Sequence, residues 1–183
     1  LFSTDDTKKN EDFSEKTIAE LVRACFEMGK VKTGALIVIE RGTPLGEIER
    51  TGIEVDGIVT SQLLINIFEH NTPLHDGAVV IRGNRVTAAT CYLPLSDNMD
   101  ISKALGTRHR AAVGVSEATD SVTLVVSEET GRVSVAVSGR LKSVKDGDEL
   151  RDILSVLVKR ETENTGRFRI WKGRRRNERK ADE

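Results

Sequence analysis

A continuous apolar run, Gly-Ala-Leu-Ile-Val-Ile at residues 34–39, lies between a glycine and the turn sequence Arg41-Gly-Thr-Pro44. A strand with one solvated face would alternate apolar and polar residues, so this run predicts a strand that is covered on both faces. Such a strand requires a sheet that lies between layers of helices.

An amphipathic helix precedes this strand. Ser14 is a suitable N-cap, Phe13 and Ile18 are placed to form a hydrophobic staple, and Gly29 is the expected C-terminal stop. Its apolar positions recur with helical spacing at Ile18, Leu21, Val22, Cys25 and Phe26.

The remaining elements fit the same class. Arg82-Gly-Asn-Arg85 predicts a hairpin turn between strands at 78–81 and 86–93, and Glu128-Glu-Thr-Gly131 predicts another between strands at 122–126 and 133–137. We also expect helices at 61–68, 108–115 and 148–160, and a short edge strand near 53–55. We therefore predict a single α/β domain, a mixed twisted β-sheet flanked by α-helices on both sides.

Composition sets the expected boundaries. Residues 1–12 are polar and without periodicity, residues 13–160 carry the folded domain, and residues 161–183 form an arginine-rich basic tail. No apolar run approaches the roughly 20 residues of a membrane span. The chain begins at Leu1 rather than Met, so we expect a fragment or a processed product, with room for a membrane segment upstream.

Charge and cysteine content exclude several classes. The chain has 28 Lys and Arg against 29 Asp and Glu, a formal net charge of −1, so it has no overall field for binding nucleic acid. Cys25 and Cys91 are far apart among apolar neighbours and are expected to be reduced core residues. The sequence contains neither a Walker-type phosphate loop nor a dinucleotide-binding fingerprint.

The first candidate site is Thr72-Pro-Leu-His-Asp-Gly-Ala78, at the entry to an apolar strand. Asp76 there can ligate a divalent metal or accept a proton from a hydroxyl, and Gly77 lets a phosphate or a sugar approach the main chain. The alternative is a structural turn, because Asp-Gly pairs favour turns.

The second candidate site is Thr107-Arg-His-Arg110, at the start of a helix with Thr107 as the expected N-cap. Positive side chains are unfavourable beside the positive end of the helix dipole, so an anion is expected to offset them. Free backbone N–H groups, a hydroxyl and two guanidinium groups together describe a phosphate site. The alternative is that the arginines are solvated or pair with surface acids.

Two further segments are weaker candidates. Ser127-Glu-Glu-Thr130 offers adjacent carboxylates that could complete a metal's oxygen shell, or it is a solvated turn. Tyr92, with Leu93, follows a buried strand and could stack on a base, or it is half-buried packing.

Asp76-Gly-Ala78 followed some thirty residues later by Arg108-His-Arg110 resembles the DGA and RHR motif pair of the diadenylate cyclase (DAC) family. The likeness extends from about residue 18 to residue 157. It is greatest to the membrane-anchored branch, in which the catalytic domain follows three transmembrane helices. The resemblance implies the DAC fold, and a location on the cytoplasmic side of the membrane for the full-length protein.

The resemblance also implies an activity, the condensation of two ATP molecules into cyclic di-AMP and two pyrophosphates with Mn²⁺, Mg²⁺ or Co²⁺. Asp76 would activate the 3′-hydroxyl, and Arg108 and Arg110 would hold phosphate oxygens with Thr107. His109 is either a phosphate contact or a structural residue. The remaining implied roles are metal ligation by His75 and Glu129 beside Asp76, and nucleotide binding by Gly77, Ala78, Tyr92, Leu93, Ser127 and Glu128.

A cyclic product with two phosphodiester bonds requires two sets of catalytic groups, whereas one chain offers one. We therefore expect a head-to-tail homodimer with a weak, polar interface. Family analogy adds a membrane-bound regulator and phosphoglucosamine mutase as partners, and no nucleic acid. Two other functions stay open: a nucleotide-sensing module that binds ATP or cyclic di-AMP without turnover, and nucleic-acid binding by the basic tail.

Overall fold

The computed structural model describes residues 13–157. It forms one mixed sheet with helices on both faces, as the sequence predicts. The helices are α1 (Glu15–Lys30), α2 (Gly46–Glu49), α3 (Ser61–Phe68), α4 (Thr107–Ala118) and α5 (residues 147–157). The strands are β1 (Ala35–Ile39), β2 (Ile53–Ile58), β3 (Ala78–Arg82), β4 (Arg85–Cys91), β5 (Val122–Val126), β6 (Val133–Val137) and β7 (Arg140–Ser143).

The seven strands are ordered β2-β4-β3-β1-β5-β6-β7. Only β1 and β3 pair in parallel, and every other neighbouring pair is antiparallel. Both predicted hairpins form, as β3–β4 and β5–β6. The crossover from β1 to β3 contains α2, β2 and α3.

β1 lies at the centre of the sheet and is buried along its whole length. Ala35, Ile37 and Ile39 pack into the apolar cluster that also contains residues of α1, α3 and α5. Leu36 and Val38 face the opposite cluster, beneath α2 and α4. The absence of alternation in the sequence thus reflects two apolar layers, one on each side of the strand.

The first helix begins at the predicted cap, Ser14, and the third helix has Thr60 as its N-cap. Ser14 Oγ accepts a hydrogen bond from the Thr17 N–H at 3.1 Å, and Thr60 Oγ1 accepts one from the Leu63 N–H at 3.1 Å. Each cap satisfies one N–H group that has no partner within its helix.

The C-terminus of α1 differs from the prediction. The helix passes through Gly29 and ends in a Schellman motif, in which the left-handed residue is Lys32, with φ 56°. Gly29 has another role: a methyl group there would lie 2.5 Å from the carbonyl oxygen of Gly131. It allows α1 to approach the β5–β6 turn.

Two short elements, α2 and β7, were not predicted, and β2 is longer than expected. The predicted last helix, 148–160, is helical through residue 157, and its remaining residues lie outside the described part. The leader at 1–12 and the basic tail at 161–183 also lie outside it. Within residues 13–157, no helix has the length and apolar character needed to cross a bilayer.

Candidate active site

The predicted site segments meet at one edge of the sheet, which we call the site edge: the edge where β1 and β3 begin and where β4 and β5 end. Ile37 pairs with Val79, so the segments that enter β1 and β3 lie side by side. Ala35 pairs with Val126, which brings Ser127 beside the entry to β1. The site therefore lies at the amino ends of the parallel pair rather than at their carboxyl ends.

Asp76 lies on the surface immediately before β3. One carboxylate oxygen accepts a hydrogen bond from the Gly77 N–H at 3.1 Å. Gly77 has φ 87°, and a methyl group there would lie 2.9 Å from the Cys91 carbonyl oxygen, so this position requires glycine. Ala78 is fully buried in the cluster beneath α4, and its methyl group is not available to a nucleotide.

His75 is held by its backbone neighbours in one tautomer. Its Nδ1 lies 2.6 Å from the Thr72 carbonyl oxygen, and because a carbonyl only accepts, Nδ1 carries the hydrogen. The Nε2 lone pair is therefore left for a metal or a proton. The His70 ring lies edge-on to His75 with the ring centroids 5.7 Å apart.

The start of α4 departs from the prediction in one respect. Gly106 is the N-cap, with extended φ and ψ of −80° and −173°, and Thr107 is the first helical residue instead. No side chain caps this end, and its first turn contains no acidic residue. The first N–H groups of α4 consequently remain available for an anion.

Arg108 lies between two elements of the site edge. One guanidinium nitrogen (Nη1) is 2.8 Å from a carboxylate oxygen of Glu128, with the Arg108 side chain 26% exposed and the Glu128 side chain 60% exposed. The guanidinium also lies close to the backbone at Gly34, where a methyl group would be 2.7 Å from Arg108 Cζ. The arginine is thus ordered without being removed from solvent.

His109 and Arg110 differ from Arg108 in their surroundings. His109 is buried, and this burial lowers the pKa of its imidazole. The negative charge of Glu129 acts to raise that pKa, and the positive charge of Arg108 acts to lower it further. His109 is therefore uncharged at neutral pH, and its burial favours the structural alternative. Arg110 is half-buried, and its carbonyl accepts a hydrogen bond from the Ser96 N–H at 3.0 Å, which fixes the loop that follows β4 onto α4.

The β5–β6 turn presents the two carboxylates. Ser127 Oγ accepts hydrogen bonds from the N–H groups of Glu129 and Thr130, each at 3.2 Å, and the Ser127 carbonyl accepts one from Gly131 at 2.9 Å. These bonds fix the turn and leave the side chains of Glu128 and Glu129 exposed.

Tyr92 follows β4 at the same edge, since Cys91 pairs with Ala78. Its side chain is 78% exposed, and its N–H donates to Thr51 Oγ1 at 2.8 Å. Leu93 is partly buried against the cluster beneath α4. The tyrosine ring is therefore free to meet a ligand, whereas the leucine mainly supports α4.

An open cavity of about 440 Å³ lies at the site edge. His75, Arg108 and Glu128 line it, so three of the residues identified from the sequence border the same cavity. The other lining residues were not predicted: Val31, Lys32, Thr33, Gly34, Phe68, Glu69 and His70. They lie in the connection between α1 and β1 and around the end of α3. These segments contain no motif that predicts a binding site.

The expected metal ligand set is not present as a cluster. Among residues 13–157, no three His, Cys, Asp or Glu side chains converge to hold an ion. Glu129 lies on the β5–β6 turn, where its charge acts on His109. The expected ligand set of His75, Asp76 and Glu129 therefore stays a prediction. His75 and Asp76 remain as adjacent donors on the segment that enters β3.

Comparison with known proteins identifies relatives over most of the chain. The family model for DAC, described as the DisA bacterial checkpoint controller nucleotide-binding domain, matches residues 22–141. Cyclic di-AMP synthase CdaA of Bacillus subtilis is 50% identical over 166 residues, 90% of this chain and 61% of that protein. A diadenylate cyclase of Listeria monocytogenes is 51% identical over 157 residues, 85% of this chain and 58% of that protein.

Solved structures give the same relationship. A double mutant of DacA from Staphylococcus aureus is 48% identical, with a TM-score of 0.75 over 77% of this chain and 94% of that one. A hypothetical membrane spanning protein from Bacillus cereus is 42% identical, with a TM-score of 0.69 over 71% of this chain and 64% of that one. The chain spans about three fifths of the length of the two curated relatives described above.

Proposed function

This chain belongs to the DAC family of nucleotide-binding domains, and from that premise we propose that it is a diadenylate cyclase that condenses two ATP molecules into cyclic di-AMP. In this reaction the 3′-hydroxyl oxygen of each ATP bonds to the α-phosphorus of the other. Two bonds between α- and β-phosphates break, and two pyrophosphates and two protons leave.

One observation carries the proposal: the segment that contains His75 and Asp76, the start of α4 and the Glu128 turn meet at one edge of the sheet. There His75, Arg108 and Glu128 line a common cavity. These groups lie on three different segments that are far apart in sequence. Phosphoryl transfer depends on positioning the reacting groups and on neutralising charge, and this arrangement supplies both a carboxylate and a guanidinium group.

Asp76 is proposed to act at the hydroxyl. Its carboxylate is exposed at the entry to β3, and the left-handed conformation of Gly77 leaves the adjacent backbone without a side chain. An ionised carboxylate at this position can accept the 3′-hydroxyl proton as the oxygen attacks.

Arg108 is proposed to hold the phosphates. Its guanidinium group borders the cavity, and the uncapped N–H groups of α4 lie in the same turn of the helix. Lys32 adds a second positive group to the cavity wall, and the exposed Thr107 hydroxyl lies beside Arg108. Arg110 is a secondary candidate because it is half-buried and does not line the cavity.

A divalent ion fits the donors at this edge. The free Nε2 of His75 and the carboxylate of Asp76 would hold Mn²⁺, Mg²⁺ or Co²⁺, with the remaining positions left to phosphate oxygens and water. When bound, such an ion polarises the attacking hydroxyl and neutralises phosphate charge. The imidazole donor favours Mn²⁺ and Co²⁺ over Mg²⁺.

We further propose that two copies of the chain act together, each holding one ATP. One chain supplies one Asp76 and one Arg108, whereas the product needs two equivalent attacks. When two site edges face each other, the 3′-hydroxyl of each ATP can reach the α-phosphate of the other. Because Asp76, Tyr92 and Glu128 are exposed on this edge, it is open to such an approach.

The test is incubation of the purified chain with ATP and Mn²⁺, followed by mass spectrometry for cyclic di-AMP and pyrophosphate. We expect product from the native sequence and none from Asp76→Asn, which keeps the size of the side chain and removes its charge. Asp152→Asn is the matched control, because Asp152 is an exposed aspartate on α5, outside the candidate site.

The melting temperature and the ATP affinity are also measured for the native chain, Asp76→Asn and Asp152→Asn. Native protein that binds ATP tightly and forms no cyclic di-AMP with any of the three metals would contradict the cyclase and favour a nucleotide-sensing module. Equal turnover by Asp76→Asn and the native chain would contradict the role of Asp76.

The expected membrane anchor, membrane-bound regulator and phosphoglucosamine mutase partner rest on the resemblance to the membrane-anchored branch. We propose that the full-length protein works at the cytoplasmic face of the membrane. Fractionation of cells that express the full-length gene tests this, and recovery of the protein in the soluble fraction would contradict it.

A further inference from the structure

Gly34, the residue directly before β1, lies against the guanidinium group of Arg108. A methyl group built on Gly34 would lie 2.7 Å from Arg108 Cζ, 2.9 Å from Nη1 and 3.1 Å from Nε. These three atoms, the nearest to that position, all belong to one guanidinium group. The planar group therefore rests on the backbone at Gly34, in space that any side chain would fill.

The backbone at Gly34 does not itself require glycine. Among the described glycines, those with positive φ are Gly77, Gly83, Gly131 and Gly139, and Gly34 is not one of them. The left-handed backbone that disfavours alanine at Gly77 is therefore not what disfavours it at Gly34. Within the described structure, what an alanine methyl would meet first is Arg108.

The guanidinium is also held by Glu128, through the 2.8 Å ion pair from Nη1. Gly34, Arg108 and Glu128 all line the cavity at the site edge. The glycine thus provides a fixed steric surface, while the carboxylate is an exposed partner that an incoming anion can replace. A guanidinium group binds a phosphate with two parallel hydrogen bonds only when its plane is correctly placed.

We propose that Gly34 is a positioning residue. It sets the location of the Arg108 guanidinium group in the cavity and thereby the affinity of that group for the substrate triphosphate. Gly34 makes no substrate contact in this role and acts through Arg108. The triphosphate is the ligand of the proposed cyclase, so that part of the inference rests on the proposed function.

The test is a double-mutant cycle of Gly34→Ala and Arg108→Ala, read as ATP affinity by titration calorimetry in the presence of Mg²⁺. Alanine at position 34 displaces the guanidinium group, so we expect ATP affinity to fall by about tenfold, the effect of a misplaced charge-assisted hydrogen bond. In the Arg108→Ala background the same substitution is expected to change affinity by less than about twofold, because no guanidinium is left to displace.

Gly46→Ala is the matched control, since a methyl group at Gly46 meets nothing within 4 Å and Gly46 lies on α2, outside the cavity. It should match the native chain in ATP affinity. Gly34→Ala should have the same melting temperature as the native chain. A loss of ATP affinity without a loss of stability then distinguishes a positioning role from a role in folding.

Arg108→Lys gives a second background, because an ammonium group on an unbranched stem avoids the methyl group. Gly34→Ala should cost little ATP affinity there. The proposal is overturned if Gly34→Ala weakens ATP binding as much in the Arg108→Ala and Arg108→Lys backgrounds as in the native one, or if it causes no loss in the native background. Unfolding of Gly34→Ala in every background also overturns it, since the glycine would then serve the fold.

The readout does not depend on turnover. If the native chain makes no cyclic di-AMP but the cycle behaves as expected, the proposed activity fails and the role of Gly34 stands. If product forms normally and the cycle shows no coupling, the role of Gly34 fails and the activity stands.

Discussion

The two edges of the sheet are both rich in charge, but the charges are arranged differently. At the edge where β1 and β3 end, which we call the far edge, polar groups satisfy one another. Glu40 binds Arg82 through an ion pair of 3.0 Å and accepts the Leu45 N–H at 2.9 Å. Asp120 accepts the N–H groups of Gly42 and Thr43 at 3.0 and 2.8 Å.

At the site edge the charged groups have fewer partners. Arg108 has the exposed carboxylate of Glu128, and Asp76 accepts a hydrogen bond from the N–H of its own neighbour, Gly77. The helix end at Thr107 has no side-chain cap. Arg108 and Glu128 line a cavity of about 440 Å³, and Asp76 and Thr107 are exposed at the same edge.

The difference shows that charge density alone does not mark a functional site. Satisfied charges at the far edge fix loops, whereas incompletely satisfied charges around a cavity at the site edge are available to a ligand. Substitutions at the two edges should therefore have separable effects, on stability at one and on nucleotide binding at the other.

The largest expected contrast is between two arginines. Arg108→Ala should lower turnover of ATP by roughly 100-fold, because it removes charge at the developing transition state, with little change in melting temperature. Arg82→Ala should leave turnover unchanged and lower the free energy of unfolding by about 1 kcal/mol through loss of its pairs with Glu40 and Glu49. Steady-state kinetics and urea unfolding of both variants measure the contrast, which fails if both variants lose activity equally.

The next effect lies at the far edge and depends on pH. Burial opposes ionisation of Asp120, but hydrogen bonds from Thr43 and Gly42 outweigh it and lower the pKa of the carboxyl below 3.8. The ionised carboxylate therefore contributes its full stabilisation when the pH is above the ordinary pKa of an aspartate. This stabilisation is lost as the pH falls through the lowered pKa. Asp120→Ala should cost about 1 kcal/mol at pH 7 and progressively less in acid.

Urea unfolding of the native chain and Asp120→Ala between pH 2 and pH 7 follows this difference, on the order of 1 kcal/mol at its maximum. A difference that does not depend on pH would show that the ionised carboxylate is not what stabilises the loop. ATP binding at pH 7 should be the same in both proteins.

The sequence predicts most of the fold because its long elements carry strong local signals. β1 is continuous in apolar residues, α1 has a cap and a regular stripe, and both hairpins have turn residues between apolar strands. α2 has four residues and β7 has one apolar residue, Leu141, so neither is long enough to show a period. Their positions follow from contacts with the rest of the sheet.

The site is predicted only in part for a similar reason. The residues of the two motifs were identified, but their meeting at one edge depends on strand register, which is a long-range property. His109 has the same local sequence signal as its arginine neighbours, and only packing shows that it is buried. Gly34 and Lys32 lie in a connection without a motif, so their place in the cavity required the structure.

A smaller effect is expected from the partner of Arg108. Glu128 is largely exposed, so its ion pair contributes little to stability, yet it competes with phosphate for the same guanidinium group. Glu128→Gln should therefore strengthen ATP binding by roughly two- to fivefold, with an unchanged melting temperature. Calorimetric titration checks this, and weaker binding would instead indicate that Glu128 contacts the nucleotide directly.

The smallest expected effects compare two residues in left-handed backbone, one at each edge. Lys32 has φ 56° beside the cavity, and Ser138 has φ 49° in the β6–β7 turn at the far edge. Glycine removes the Cβ strain, so Lys32→Gly and Ser138→Gly should each stabilise the fold by up to about 1 kcal/mol. Only Lys32→Gly should also weaken ATP binding, by roughly two- to threefold, because it removes an exposed positive charge from the cavity wall. Equal ATP affinity in the two variants would remove Lys32 from the binding surface and leave Arg108 to hold the phosphates.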